Sequence, residues 1–212
     1  MKAVEGLRAV EQIHRAQAFG LIDHDGMSAE QMKKFEDEGI YPLPIFSVES
    51  LIYSQEAQCA VAVQQADTLG IDSQTLLDGA RDAAIESIKV QAAKEHLASR
   101  LAERQMRDQV LSSLPTRHEL IAQTQPVLNV AIPSTYPDEL ARLSGMVGAS
   151  DIHGIVSRYP VRESRILDCI AKGLRFNSRD DYERAVLRRV GVDAKLRDAL
   201  KQKLGNLASQ LE

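Results

Sequence analysis

The sequence predicts an α/β chain, mostly α by residue count, in which a small parallel sheet near the N-terminal end carries a large helical region. Three observations predict it. The first 46 residues alternate helical and strand patterns, the order that a parallel sheet requires. Residues 48–69 and 73–114 contain no proline and are rich in Ala, Leu, Gln, Glu, Lys and Arg, all strong helix formers. Aromatic content is 4% with no Trp, so the core is built from aliphatic side chains, which favours helices.

In chain order, Ala3, Leu7, Val10 and Ile13 recur at near-helical spacing and predict an amphipathic helix over 2–16. The apolar run Ala18 to Ile22, closed by Asp23-His24-Asp25-Gly26, predicts a buried strand. Ser28-Ala29-Glu30-Gln31 has the form of a capping box and opens a helix that Gly39 ends. Ile40 to Phe46 reads as extended chain, and Pro42 and Pro44, which cannot donate to a ladder, place it at an edge or leave it partly paired. Residues 48–114 then predict a long helical hairpin or arm interrupted near Gly70-Ile71-Asp72. Thr116 to Glu119 is a second capping box, and Val127 to Ile132 is the one later segment with strand character. From Pro137 the pattern is helical again, with breaks at 145–150, 159–160, 173–178 and Gly191. The expected organisation is an α/β core over 1–53, a helical arm or insertion over 54–125, and a return strand with a C-terminal helical region over 126–212.

A length of 212 residues with a net charge of −4 excludes a large multidomain machine and a global basic field, so any nucleic-acid contact must be a local patch. Cys59 and Cys169 stand far apart and belong to no metal-binding spacing, as expected of reduced thiols. No signal-peptide pattern opens the chain and no apolar run spans a bilayer. These features predict a cytoplasmic protein.

The sharpest chemical signal is Leu21-Ile22-Asp23-His24-Asp25. Two carboxylates at i and i+2, just past the C-terminal end of a parallel strand, sit where α/β folds place their ligands. Held close, they repel, and a divalent cation with a taste for oxygen ligands, magnesium, offsets the repulsion. The simpler alternative is an acidic turn in which either aspartate caps a helix. His24, between them, points to the other side of an extended chain and is expected to be packed or solvent-facing.

The order Ala18 to Asp25, a helix, Gly39-Ile40-Tyr41-Pro42-Leu43-Pro44 and Val48-Glu49-Ser50-Leu51 resembles the Toprim-like nuclease domains found beside AAA-type ATPases in bacterial anti-phage systems, related to the overcoming-lysogenization-defect nucleases. The resemblance covers Ala18 to about Tyr53 and, more loosely, Tyr159 to Leu187, where Val161-Arg162 replaces the family's Gly-Lys. It implies a partial Toprim-like sheet and a magnesium-dependent nuclease of DNA or RNA working with an AAA-type ATPase. It also implies that Asp23 and Asp25 are catalytic metal ligands, with Glu49 as a further ligand nearby. The family's separate acid/base glutamate has no clear counterpart. Val4-Glu5-Gly6 imitates its motif, but Glu5 stands 18 residues before Asp23, too few for the intervening elements, and falls in a helical pattern. The expectation is therefore a catalytically incomplete piece that lacks the first strands. Glu49 also has a plain reading as a first-turn acid favoured by the helix dipole.

Two other readings stand beside it. Asp23-His24-Asp25-Gly26 also resembles the nucleophile loop of haloacid-dehalogenase-like phosphatases, although Met27 follows the glycine and Asp180-Asp181 reads as a helix start rather than a strand end. Alternatively the chain is a non-enzymatic interaction module. Its 73–114 helix would present Arg100, Arg104 and Arg107 on one face to a phosphate backbone or an acidic partner, or would mediate homo-oligomer formation.

Overall fold

A computed structural model describes residues 6–8, 17–24, 27, 29–115, 117–122, 131 and 133–211. The architecture is a mostly helical α/β fold with a two-stranded parallel sheet. Strand β1 (Gly20–Ile22) is followed by helix α1 (Ala29–Asp37), strand β2 (Ile40–Pro42) and the short helix α2 (Val48–Ile52). Then come α3 (Gln55–Leu69), α4 (Ser73–Ile88), α5 (Gln91–Ser112) and α6 (Arg117–Ala122). The C-terminal part holds α7 (Tyr136–Gly148), α8 (Ile152–Arg158), a 3-10 turn (Val161–Glu163), α9 (Ile166–Gly173), α10 (Arg179–Val192), α11 (Ala194–Gln202) and a last 3-10 segment (Gly205–Gln210).

The helix boundaries follow local signals. Ser54, Asp72, Asp151, Ser178 and Asp193 each accept a backbone N–H of the helix they precede, from Ala57, Thr75, Gly154, Asp181 and Leu196 respectively. Gly39 (φ 75°) and Gly70 (φ 68°) adopt the left-handed conformation that ends α1 and α3. Three boundaries differ from expectation, the first being the break at Tyr53 and Ser54 between α2 and α3. Helix α10 runs through Gly191, and the break comes at Asp193, where an N-cap for α11 is available. The 73–114 stretch is interrupted at Lys89 and Val90, between α4 and α5. The expected 2–16 helix is described only at residues 6–8, which are helical, and the 127–132 strand lies outside the described residues save for residue 131.

Within the expected arm, α4 is interior. Helix α4 packs along α9, with Leu76, Ala80, Ala84, Ile85 and Ile88 buried against it, and α3 lies on α4, α10 and α11. A Cβ at Gly173 would stand 2.4 Å from the Cα of Ala80, so only glycine permits this approach. Helix α5 packs on α7. One continuous core cluster joins Phe46 and Tyr53 to Leu200 through α3, α4, α8, α9 and α10. Tyr182 is its aromatic centre, stacked on Tyr53 at 4.5 Å and edge-on to Phe176, with its hydroxyl donating to the Ile52 carbonyl. The expected helical segment is thus amphipathic toward α9 rather than toward solvent.

Strand β1 is less buried than the sequence predicts, whereas Ile40 and Pro42 of β2 are buried. Pairing runs Gly20 to Ile40 and Ile22 to Pro42, and Leu21 is 39% exposed. Among the described residues each strand has one neighbour and pairs along one edge only, and Pro42 and Pro44 donate nothing to extend the ladder. The sheet is fixed to the helices at its end: the Phe46 N–H donates to the Ser157 carbonyl of α8, and the Ser50 hydroxyl to the Val156 carbonyl.

Candidate functional site

The C-terminal ends of β1 and β2 meet the N-terminus of α2, and the site is built at that corner. Beyond the ladder, the Leu43 N–H donates to the Ile22 carbonyl and the His24 N–H to the Phe46 carbonyl, which keeps the two chains parallel past the last paired residues. Asp23 therefore projects at the strand end, half-buried, and its Oδ1 accepts the Val48 N–H at 2.9 Å. A side chain from β1 thus caps a helix 25 residues on. The contact satisfies one of the unpaired donors of the α2 start.

Glu49, the next residue of α2, comes to the same corner, but cations already engage it. Its Oε1 lies 3.2 Å from Arg162 and 3.7 Å from Arg179, and its side chain is 16% exposed. Arg179 also donates to Glu183, which accepts the Tyr53 hydroxyl. Glu49 is thereby tied through two guanidinium groups to the 3-10 turn and to α10. Arg162, at the position where the chain departs from the Gly-Lys pattern, is thus placed beside Glu49. Asp25 and Glu5 lie outside the described residues. Among the described residues no group of three His, Cys, Asp or Glu side chains is arranged to hold a metal ion.

Asp180 and Asp181 stand in the first turn of α10, as the sequence reads, with Asp181 bonded to Ser178 and Arg184. The arginine stripe of α5 is occupied within the chain. Arg100 and Arg104 both donate to Glu163, at 2.6 and 2.9 Å, Arg107 lies 3.6 Å from Glu103, and Arg104 sits over the Phe46 ring. The Arg100 hydrogen bond, supported by Arg104, holds the Glu163 carboxyl below the usual range. This stripe clamps the 3-10 turn onto α5.

Sequence reasoning missed a second acid–base assembly beside the corner. Glu139 of α7, buried, accepts both the Nε and Nη2 hydrogens of Arg158 and the hydroxyl of Tyr159. No local signal marks it, since its partners lie 19 and 20 residues away. Arg158, His24, Phe46 and Gln105 line a cavity of about 200 Å³ at the corner. A second, of about 490 Å³, adjoins it between α1 and the last 3-10 segment and shares His24 and Pro44. His24, expected to be packed or solvent-facing, lines both.

Among the described residues, no helix is long and apolar enough to cross a membrane. No protein-family model matches the chain, and neither a curated protein nor a solved structure matches it.

Proposed function

We propose that the chain is a magnesium-dependent nuclease effector, incomplete as a catalyst by itself, with Asp23 and Asp25 as the ion's ligands. The observation that supports it is the place of Asp23: a half-buried carboxylate at the mouth of two parallel strands, fixed by the Val48 N–H. Its hard oxygen donors suit magnesium. Glu49 does not fit as a third ligand, because Arg162 and Arg179 hold its carboxylate, and its role here is to orient those cations toward a phosphodiester. A bound ion would withdraw charge from the phosphoryl oxygens and hold the group in place. Cleavage also needs a group to deprotonate or position water. The ion-paired Glu49 is poorly suited to that task, so slow cleavage by the chain alone is expected. The AAA-type ATPase partner and the anti-phage role are proposed on family resemblance.

The test is calorimetric titration of magnesium into the wild-type chain, Asp23→Asn, and Asp23→Asn with Asp25→Asn, alongside cleavage of DNA and RNA oligonucleotides. Loss of ion binding and of magnesium-dependent cleavage in the variants supports the reading. Unchanged ion binding in the double variant overturns it. Turnover of p-nitrophenyl phosphate without polynucleotide cleavage replaces it with the phosphatase reading.

A further inference from the structure

A groove of about 530 Å³ lies between α2, α10 and α11. That is the size of a site for one small molecule, roughly 300–1,000 Å³. Leu51 and Ile52 of α2, Val186 and Val190 of α10, and Leu200 and Leu204 build its apolar wall, and no aromatic ring lines it among the described residues. Such a wall suits an aliphatic chain, which gains from the area it removes from water and needs no directed contact. The groove shares α2 with the strand corner, but Asp23, Glu49, Arg162 and Arg179 do not line it. Its polar groups come from α11. Arg197 is exposed, and its Nη1 donates to the Val190 carbonyl at 3.1 Å and, more weakly, to the Gly191 carbonyl at 3.5 Å, which ties the guanidinium to the last turn of α10. Its Nε and Nη2 make no hydrogen bond, and no carboxylate pairs with it, among the described residues. The Nε/Nη2 edge carries two parallel N–H groups, the geometry that takes a carboxylate in bidentate fashion. With Nη1 already anchored, this fork loses less freedom when it takes a ligand. Lys201, one turn on, adds a second cation and Asp198 one anion, so the lining is net positive.

We infer that this groove binds an aliphatic monocarboxylate, its chain against the leucine and valine wall and its carboxylate on the Nε/Nη2 edge of Arg197. The charge balance selects an anion over an ammonium, the fork selects a planar carboxylate, and the aliphatic wall selects a chain over a ring. The inference is independent of the nuclease reading, since it uses no residue of that site.

The test is calorimetric titration of decanoate, decanol and decyltrimethylammonium, each kept monomeric in solution, into the wild-type chain and three variants. Decanoate is expected to bind at a single site, with decanol and the ammonium at least about tenfold weaker. Arg197→Gln should weaken decanoate about tenfold, to the level of decanol, and leave decanol unchanged. Arg197→Lys keeps the charge and loses the fork, and should weaken decanoate about threefold. Leu187→Gln changes a groove-lining side chain that is 61% exposed, and should weaken decanoate and decanol alike, by about threefold. Arg197 and Leu187 are both exposed, so these variants keep the fold. Absence of saturable decanoate binding overturns the inference, as does wild-type affinity in Arg197→Gln or equal affinity for the three ligands. Sedimentation equilibrium supplies the remaining outcome: a wild-type dimer that Leu187→Gln dissociates and decanoate does not assigns the groove to a second copy of the chain and likewise overturns it.

Discussion

In the helical body, α4 and α9 approach until the last residue of α9 must be glycine, and Tyr182 at the centre has no solvent exposure. At the strand corner, three-residue strands pair along one edge, Leu21 is 39% exposed, and attachment to the body runs through α8 and the ring of Phe46. The body derives its stability from area and close packing, which are non-directional and tolerate little change of volume. The corner is held by directed polar contacts: Asp23 to Val48, Ser50 to Val156, and Glu49 to its two arginines. Each such contact is worth little net stability, yet each fixes an orientation. The contrast teaches that the chain places its candidate chemistry where orientation can be changed without unfolding the molecule.

Substitutions at four positions break or sharpen that contrast. Tyr182→Ala removes the stacked ring and its hydrogen bond to Ile52, and is expected to cost about 4 kcal/mol in urea denaturation. A cost no greater than that of a corner substitution would undo the contrast. Gly173→Val drives a side chain into the Ala80 backbone and should cost about 3 kcal/mol, read as a lower urea midpoint with an unchanged slope. Asp23→Ala removes the α2 cap and should cost only about 1 kcal/mol, whereas Asp23→Asn keeps an acceptor and should cost less; under the proposed function both lose any magnesium binding of the wild type.

The smallest effect is pH-dependent and concerns Glu163. Arg100, with Arg104, lowers its carboxyl below the ordinary value of 4.5, so its contribution is fully present above that value and fades as pH falls through the folded-state value. Wild type should exceed Glu163→Gln by no more than about 1 kcal/mol at pH 7, and the difference should shrink below about pH 4.5. A difference that stays constant down to pH 3 would mean that Glu163 stabilises by packing and not by charge.

The sequence by itself determined the elements whose causes are local. The turns at Gly39 and Gly70, the caps at Asp72 and Ser178, and the acidic first turn of α10 depend on residues within four positions of one another, and the mostly helical α/β class follows from their order. The end of α10 shows the limit of such signals, because Gly191 only weakens a helix, whereas Asp193 supplies the next one with a cap. The resemblance carried by the segments 18–25 and 39–51 nominated Asp23, Asp25 and Glu49; Asp23 and Glu49 come to one corner, and Asp25 lies outside the described residues.

What only the tertiary structure decided is which partner each side chain takes. Arg100 and Arg104 read as a solvated or phosphate-binding face until Glu163, 63 and 59 residues away, arrives to occupy them. Glu49 reads as a ligand or a dipole partner until the 3-10 turn and α10 bring Arg162 and Arg179 to it. The 73–88 segment reads as an arm until α9 buries its apolar face, and the Glu139–Arg158 fork is invisible until α7 and α8 are side by side. Helix propensity and capping act within a turn of chain and are written in it, whereas burial and charge pairing depend on distances that exist only after the chain has closed on itself.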